Sequence, residues 1–311
     1  MQKRRAIALG FFDGVHLGHL KLMEQTIKIG KENGLVPSVT TFDVHPLNIL
    51  HRKEVPLINS SEDRAWLIHN ISGIEDALFL HFDKHTTQIA WDKFIDYLIA
   101  EFGAEYLIAG EDYTFGNGGI GNSQLLKQKC NELGLGCAII PKVTVDGVTV
   151  SSTIIRDKLL TGNISQANVL LGHYHILTDT VRYGFHLGSK LGTPTINMQF
   201  QQGVLVPAYG VYVTKVYFNG AHTVGSTISP TTPCIGVTNI GARPTVDDSG
   251  KVTAETHILN YRGNLYGRKV RIEFHEYLRS EIKFSGLEEL KAQIAKDCIA
   301  AKQFFSGTKL P

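Results

Sequence analysis

Gly10-Phe11-Phe12-Asp13-Gly14-Val15-His16-Leu17-Gly18-His19 sets two imidazoles and three glycines within ten residues. Glycine lets a phosphate come close to the backbone, and an imidazole can donate to a phosphate oxygen whose charge grows during reaction. A single histidine is usually a space filler, whereas His16-Leu17-Gly18-His19 at a strand-to-helix turn points to phosphate chemistry. Val150-Ser151-Ser152-Thr153-Ile154-Ile155-Arg156 is a second such stretch. Its hydroxyls could simply cap a helix. A helix N-terminus with Arg156 about one turn on also suits the charge of a triphosphate. Farther along, Gly184 to Asn197 is glycine-punctuated and ends in Pro194-Thr195-Ile196-Asn197. A hairpin loop would explain the glycines. On an extended chain, however, Thr195 and Asn197 face the same way as hard oxygen ligands, a geometry that suits Mg²⁺ bound together with nucleotide phosphates.

Elements of recognisable type must place these groups. Ala6-Ile7-Ala8-Leu9 reads as a buried strand running into the histidine turn. Behind the turn, Leu20, Met23 and Ile27 recur at helical spacing, so the turn opens a helix whose unpaired N–H groups form a natural anion site. Strands are expected at 36–42, 77–82, 105–109 and 137–140, and helices at 61–70, 87–102 and 123–133. This alternation predicts a parallel sheet covered on both faces, with ligands beyond the C-terminal strand ends. There Pro46 forces His45 into an extended exit from the second strand.

Past a short helical connector the pattern changes to strand-like runs at 175–181, 210–216, 234–238, 255–259 and 270–277. An antiparallel arrangement is expected, a small barrel closed by a helix over 287–304. The predicted division is 1–160, a linker helix at 161–172, and a second domain at 173–306.

Gly116, Gly118 and Gly121 form a formal GxGxxG in the loop that starts at Gly110-Glu111-Asp112. A dinucleotide fingerprint should follow its strand directly, with an acidic residue about twenty positions on. This loop starts late and no acidic strand end follows, which argues against an NAD-dependent oxidoreductase. The formal net charge of +2 over 311 residues gives no nucleic-acid track and no membrane surface. No apolar run approaches the length of a transmembrane span. Cys130, Cys137, Cys234 and Cys298 show neither CxxC nor zinc spacing and are expected to be buried reduced thiols. A cytoplasmic protein, monomeric or weakly homo-oligomeric, is the expectation.

His16-Leu17-Gly18-His19 resembles the HxGH signature of nucleotidylyltransferases, and Gly10 to His19 resembles the bacterial bifunctional riboflavin kinase/FAD synthetase family more narrowly. The Thr41 to Pro46 segment, the Gly110-Glu111-Asp112-Tyr113-Thr114-Phe115-Gly116 loop and the Ser151-Ser152-Thr153…Arg156 motif match further pieces of its first half. Gly184 to Asn197 resembles the kinase signature GxPTxN. Gly236-Val237-Thr238-Asn239, Glu255-Thr256-His257-Ile258 and Leu278-Arg279-Ser280-Glu281 match other kinase pieces. The resemblance implies a Rossmann-like adenylyltransferase half and a β-barrel kinase half. It implies Mg²⁺, with ATP as co-substrate and riboflavin, FMN and FAD as substrate and products.

In that resemblance His16, His19 and Arg156 are catalytic, as is Glu255, the general base toward the riboflavin 5′-hydroxyl. Gly10, Phe12, Asp13, Gly14, Gly18, His45, Gly110, Asp112, Ser151, Ser152, Thr153, Gly188, Gly192 and Pro194 serve nucleotide or phosphate. Thr195 and Asn197 serve the metal. Asn239, Arg279 and Glu281 serve the flavin, although Arg279 and Glu281 could equally be a structural ion pair. Thr114, Gly119, Leu187 and Ser189 stand where many members carry arginine, so both sites are less basic. A monofunctional adenylyltransferase with an inactive kinase half, and a flavin-binding protein without catalysis, remain open on these residues.

Overall fold

The computed structural model describes residues 2–45, 48–49, 54–183, 194–218, 222–224, 227–229, 233–242 and 252–307. Gly188 and Gly192, with Leu187 and Ser189, lie outside the described residues. The chain packs as two units: Met1–Ile154 with Leu170–Gly172, and Ile155–Val169 with His173–Pro311.

The first unit is built on a five-stranded sheet. Its strands are β1 Arg5–Leu9, β2 Val36–Phe42, β3 Asp76–Leu80, β4 Ala104–Gly110 and β5 Gly136–Ile140. The order is β3-β2-β1-β4-β5, and every pairing is parallel. Helices α1 Leu17–Asn33, α2 Ser61–Leu67, α3 Trp91–Phe102 and α4 Ser123–Leu133 make the crossovers. Chain order reverses on either side of β1, where such sheets open a crevice at their C-terminal edge. Ile7, Leu9, Leu98 and Leu107 fill one face of this Rossmann-like sheet. The helix expected to run to residue 70 stops at Leu67 and passes into a π turn, Ile68–Ser72. The helix expected from 87 starts at Trp91, because Asp83 and Thr86 tie off a 3₁₀ turn before it.

A hairpin, β6 Thr144–Val145 and β7 Val148–Thr149, was not anticipated from the sequence. Its turn residues Asp146 and Gly147 both have positive φ, the usual Asp-Gly hairpin chemistry. It leads into α5 Ser152–Leu160 and α6 Ile164–Leu171.

In the second unit six strands form one antiparallel sheet: β8 His175–Thr180, β9 Thr195–Gln199, β10 Gly210–Phe218, β13 Cys234–Ala242, β14 Val252–Ile258 and β15 Lys269–Arg279. The hairpin His222–Val224 with Thr227–Ser229 supplies β11 and β12. The order β8-β15-β10-β13-β14-β9 curls until its edges touch, where the Arg182 N–H donates to the Asn197 carbonyl at 2.9 Å. Met198, Tyr212, Ile240, Ala254, Ile272 and Phe274 alternate onto the inner face and expose nothing. The opposite face presents Val211, Val213 and Val237 to helix α7 Leu287–Ser306 through Ala301 and Phe305. Asn168 fastens α6 to the sheet. Its side chain donates to the Phe274 carbonyl and accepts from the His175 N–H, each at 2.8 Å.

Candidate active sites

The turn after β1 is held in a conformation that its side chains would not choose. Phe12 and Val15 have φ of 55° and 44°, in the left-handed region where non-glycine residues are rare. Three devices hold it. Both Asp13 carboxylate oxygens accept from the Ile58 N–H, at 2.9 and 3.1 Å. Thr41 Oγ1 donates to the Phe11 carbonyl at 2.6 Å. Arg64 reaches the Phe11 and Phe42 carbonyls, at 3.0 and 2.5 Å. Asp13 therefore shapes the turn from beneath.

His16 is the N-cap of α1, its Nδ1 accepting from the His19 N–H at 3.4 Å. Used as an acceptor, Nδ1 leaves the proton of a neutral ring on Nε2. One turn on, the His19 ring stacks on it, with centroids 3.5 Å apart and planes at 16°. Gly18 makes this possible, since a Cβ there would sit 3.1 Å from the His16 ring. Burial first, and then the positive potential of His16 and Arg64, hold the His19 pKa well below the usual imidazole value. His19 Nδ1 is buried without a hydrogen-bond partner.

The two rings border a cavity of about 820 Å³ at the C-terminal edge of the sheet. Gly10, Phe12, Gly18, Gly110, Asp112, Ser151 and Ser152 border the same space. Ser152 Oγ donates to the Asp13 carbonyl at 2.9 Å, and Ser151 Oγ accepts from the Ile154 N–H at 3.4 Å. Both hydroxyls thus also fix the start of α5. Thr153 is exposed in the first turn of that helix, and Arg156 belongs to the second packing unit. His45 is buried edge-on against Phe11, ring centroids 4.8 Å apart, and does not border the cavity.

Three features of this site were not anticipated from the sequence. Lys142 reaches the cavity rim and pairs with Asp112 at 3.3 Å, a cation beside the pocket that lacks the expected arginines. His81 Nδ1 lies 2.6 Å from Asp43 Oδ2, and that contact raises the His81 pKa. Burial pushes the Asp43 carboxyl up, but the His81 hydrogen bond and the Phe82 N–H outweigh it and leave its pKa lowered. Arg64, in α2, lies beneath the turn. The glycine loop is closed on itself. Phe115 and Gly121 exchange backbone hydrogen bonds, and a Cβ on Gly116 would meet the Trp91 backbone at 2.5 Å. Asn122 caps the helix that follows, accepting from the Gln124 and Leu125 N–H groups at 3.0 Å, so those donors are already used.

In the second unit, strand register assembles the site. Asn197 pairs with Glu255, Glu255 with Asn239, Asn239 with Val211, and Val211 with Arg279. Residues directly opposite share a face, so these five form one row across the outer face. Thr195 and His257 sit one step along in the next row. A cavity of about 220 Å³ lies between this face and α7, bordered by Thr195, Glu255, Asn239, Arg279 and Glu281. Asn197 is buried beside it. Pro194 is exposed, and its carbonyl lies 3.0 Å from His257 Nδ1.

Arg279 is ion-paired with Asp297 of α7, at 2.7 Å between Nη2 and Oδ2. The pairing of Arg279 with Glu281 weighed from sequence is not formed. Glu281 instead accepts from Asn239 Nδ2 at 3.3 Å, in space kept open because Gly241 has no side chain. The four cysteines are free thiols. Cys130 and Cys234 are buried, while Cys137 and Cys298 are only partly so, because each lies at the margin of its core.

A parallel sheet with the HxGH turn at the end of its first strand, joined to a curled antiparallel sheet with a polar row under a helix, defines a two-part nucleotide-using transferase. The FAD synthetase family model matches residues 1–154 and the riboflavin kinase family model residues 171–305. The chain is 33% identical over 312 residues to the bifunctional riboflavin kinase/FMN adenylyltransferase of Bacillus subtilis, covering 99% of this chain and 95% of that protein. It is 32% identical to the Escherichia coli K12 protein described in the same words, with the same coverage. The chain belongs to the bifunctional riboflavin kinase/FMN adenylyltransferase family, as its motifs imply. A solved structure from Streptococcus pneumoniae described as a macrolide-efflux protein shares the fold, with a TM-score of 0.83 and 26% identity over 97% of this chain and 95% of that one. Among the described residues of the present chain, no helix is long and apolar enough to cross a membrane.

Proposed function

We propose that the two units divide FAD synthesis, the second phosphorylating riboflavin to FMN and the first adenylylating FMN to FAD. Membership of the family supports both activities. The observation that carries the division of labour is that each unit has its own cavity bordered by its own polar set, and the sets differ in kind. Riboflavin offers an alcohol, which must lose a proton as the γ-phosphoryl group of ATP moves to it. A base is needed, and Glu255 is the carboxylate of the row, between Asn197 and Asn239. It takes the 5′-hydroxyl proton, the new P–O bond forms, and ADP leaves.

FMN offers a phosphate, already anionic near neutral pH. Its oxygen attacks the α-phosphorus of ATP, and pyrophosphate leaves with the electron pair of the broken bond. Donors rather than a base are needed, and His16 and His19 supply imidazole N–H groups at the α1 terminus. Gly10, Gly18, Ser151 and Ser152 frame the phosphate path.

Divalent metal chemistry fits the second unit. Thr195 and Asn197 offer two neutral hard oxygens on one strand face, enough to share a cation with ATP phosphates but not to hold one alone. Among the described residues no group of three or more His, Cys, Asp or Glu could hold a metal. When bound, Mg²⁺ would neutralise charge on the transferring phosphoryl group. Asn239 and Arg279 hold the flavin toward Glu255.

The test is to incubate purified protein with riboflavin and MgATP, with and without a reductant, and to separate riboflavin, FMN and FAD by chromatography. FAD from riboflavin is the expected result. FAD only from added FMN would remove the kinase half of the proposal. Neither product under either condition would overturn it.

A further inference from the structure

Arg64 is among the largest side chains that expose no surface at all. A guanidinium so deeply buried ordinarily faces a carboxylate. Here, among the described residues, it forms no ion pair. Its two terminal nitrogens donate to the carbonyls of Phe11, two residues past the end of β1, and Phe42, the last residue of the neighbouring β2. Its plane rests on the rings of Phe11 and Phe79, at 4.8 and 5.4 Å from their centroids. Its Nε is buried with no hydrogen-bond partner.

Burial lowers the Arg64 pKa only to about 10, with Asp13 and Asp43 resisting the fall, so the charge persists at neutral pH. A methionine would fill this space without the desolvation penalty. What a methionine would lack is the fork that ties two strand ends together, and the positive potential beneath a phosphate site.

We propose that Arg64 is a positioning residue of FMN adenylylation: a buried cation that fixes the turn carrying His16 and His19 and keeps the phosphate site electropositive without touching substrate. The inference rests on the adenylylation reading. The fork secures Phe11, directly before the left-handed Phe12 whose ring packs on His19 at 5.2 Å. Burial first, and then the potentials of His16 and Arg64, hold the His19 pKa down, so loss of the guanidinium lets the titration of His19 move to higher pH.

The experiment uses full-length Arg64→Met and Arg64→Lys, each assayed for FMN adenylylation and riboflavin phosphorylation across pH 5 to 8. A turn displaced by about an ångström loses rate by roughly 100-fold, so R64M is expected to lose about that much in kcat while the KM for FMN changes little. Its acid limb moves to higher pH, and phosphorylation stays at the wild-type level. R64K keeps the charge but cannot span both carbonyls. It should keep the wild-type acid limb and lose roughly ten-fold in kcat. The proposal is overturned if R64M keeps wild-type kcat, or if its acid limb stays in place while kcat falls. Should R64M lose both activities through misfolding, R64K decides: a shifted acid limb there, or undiminished kcat, overturns the proposal. Wild-type protein that makes no FAD from FMN would instead remove the adenylylation reading itself.

Discussion

The imidazoles of His16 and His19 lie face to face, centroids 3.5 Å apart, directly over the point where β1 turns into α1. At that separation the His16 potential helps to hold the His19 pKa down, after burial. His16 is bound by its Nδ1 to the helix start and His19 is backed by the Phe12 ring. A phosphate arriving at the helix terminus meets N–H donors that are already oriented, which is the condition for stabilising charge as it develops.

Replacing His19 with alanine removes a donor and the stacking surface for His16, while Asp13, Thr41 and Arg64 continue to hold the turn. Adenylylation of FMN should fall by about 10²–10³-fold, the range seen for loss of one preorganised donor. Riboflavin phosphorylation should be unchanged. Parallel steady-state assays from riboflavin and from FMN check this, and an equal loss of both would remove the two-site assignment.

Glu255→Gln keeps the side-chain shape beside Asn197 and Asn239 in the row but cannot accept the hydroxyl proton. Riboflavin phosphorylation should drop by about 10²–10⁴-fold, the usual contribution of a general base. FAD formation from supplied FMN should continue at the wild-type rate. Phosphorylation by E255Q at near wild-type rate would assign the base elsewhere.

The local part of this architecture is legible in the sequence. The run Ala6 to Leu9, the glycines and the helical spacing of Leu20, Met23 and Ile27 are adjacent in sequence, so strand, turn and helix could be read together. The change from alternating helices and strands to strand-like runs likewise showed two kinds of sheet. The polar row of the second unit was not legible as a row. It depends on the register of β9, β14, β13, β10 and β15, which is set by non-local pairing. Motif resemblance alone brought Glu255, Asn239 and Arg279 forward. Arg64 escaped notice because it follows Ser61-Glu62-Asp63 in a short helix, where charged residues normally face water. Lys142 and His81 gave no local signal either, because only the fold brings them to the cavity rim.

His175 is buried on the inner face of the curled sheet, with its Nδ1 unpartnered. Desolvation, helped by His173, lowers its pKa from 6.5 to about 3. The unfolded chain binds this proton below pH 6.5 and the folded chain does not. Its contribution is therefore fully present above pH 6.5 and is lost progressively as pH falls toward 3. By pH 5 the loss amounts to about 2 kcal/mol. Urea unfolding at pH 7.5 and pH 5 should show this fall, and His175→Gln should flatten it whatever its stability at pH 7.5. An unchanged pH slope in H175Q would place the titration elsewhere.

Arg279 enters the row from β15, and Asp297 of α7 holds it with contacts of 2.7 Å from Nη2 and 3.1 Å from Nε. Both side chains are mostly buried, at 19% and 7% exposure, so the pair is shielded from the screening that makes surface ion pairs weak. Asp297→Ala leaves the guanidinium unpaired at the cavity wall, which should cost on the order of 1–3 kcal/mol of stability. Arg279→Met in the same background should then add little, because the contact it would break is already gone. Flavin affinity separates a structural pair from a binding one. If Arg279 holds the flavin, quenching titrations should show weaker riboflavin binding in both single variants, with D297A the milder because its guanidinium remains. If R279M binds riboflavin as tightly as the wild type, the pair serves only to fasten α7 to the sheet, and flavin recognition falls to Asn239 and the apolar wall of the cavity.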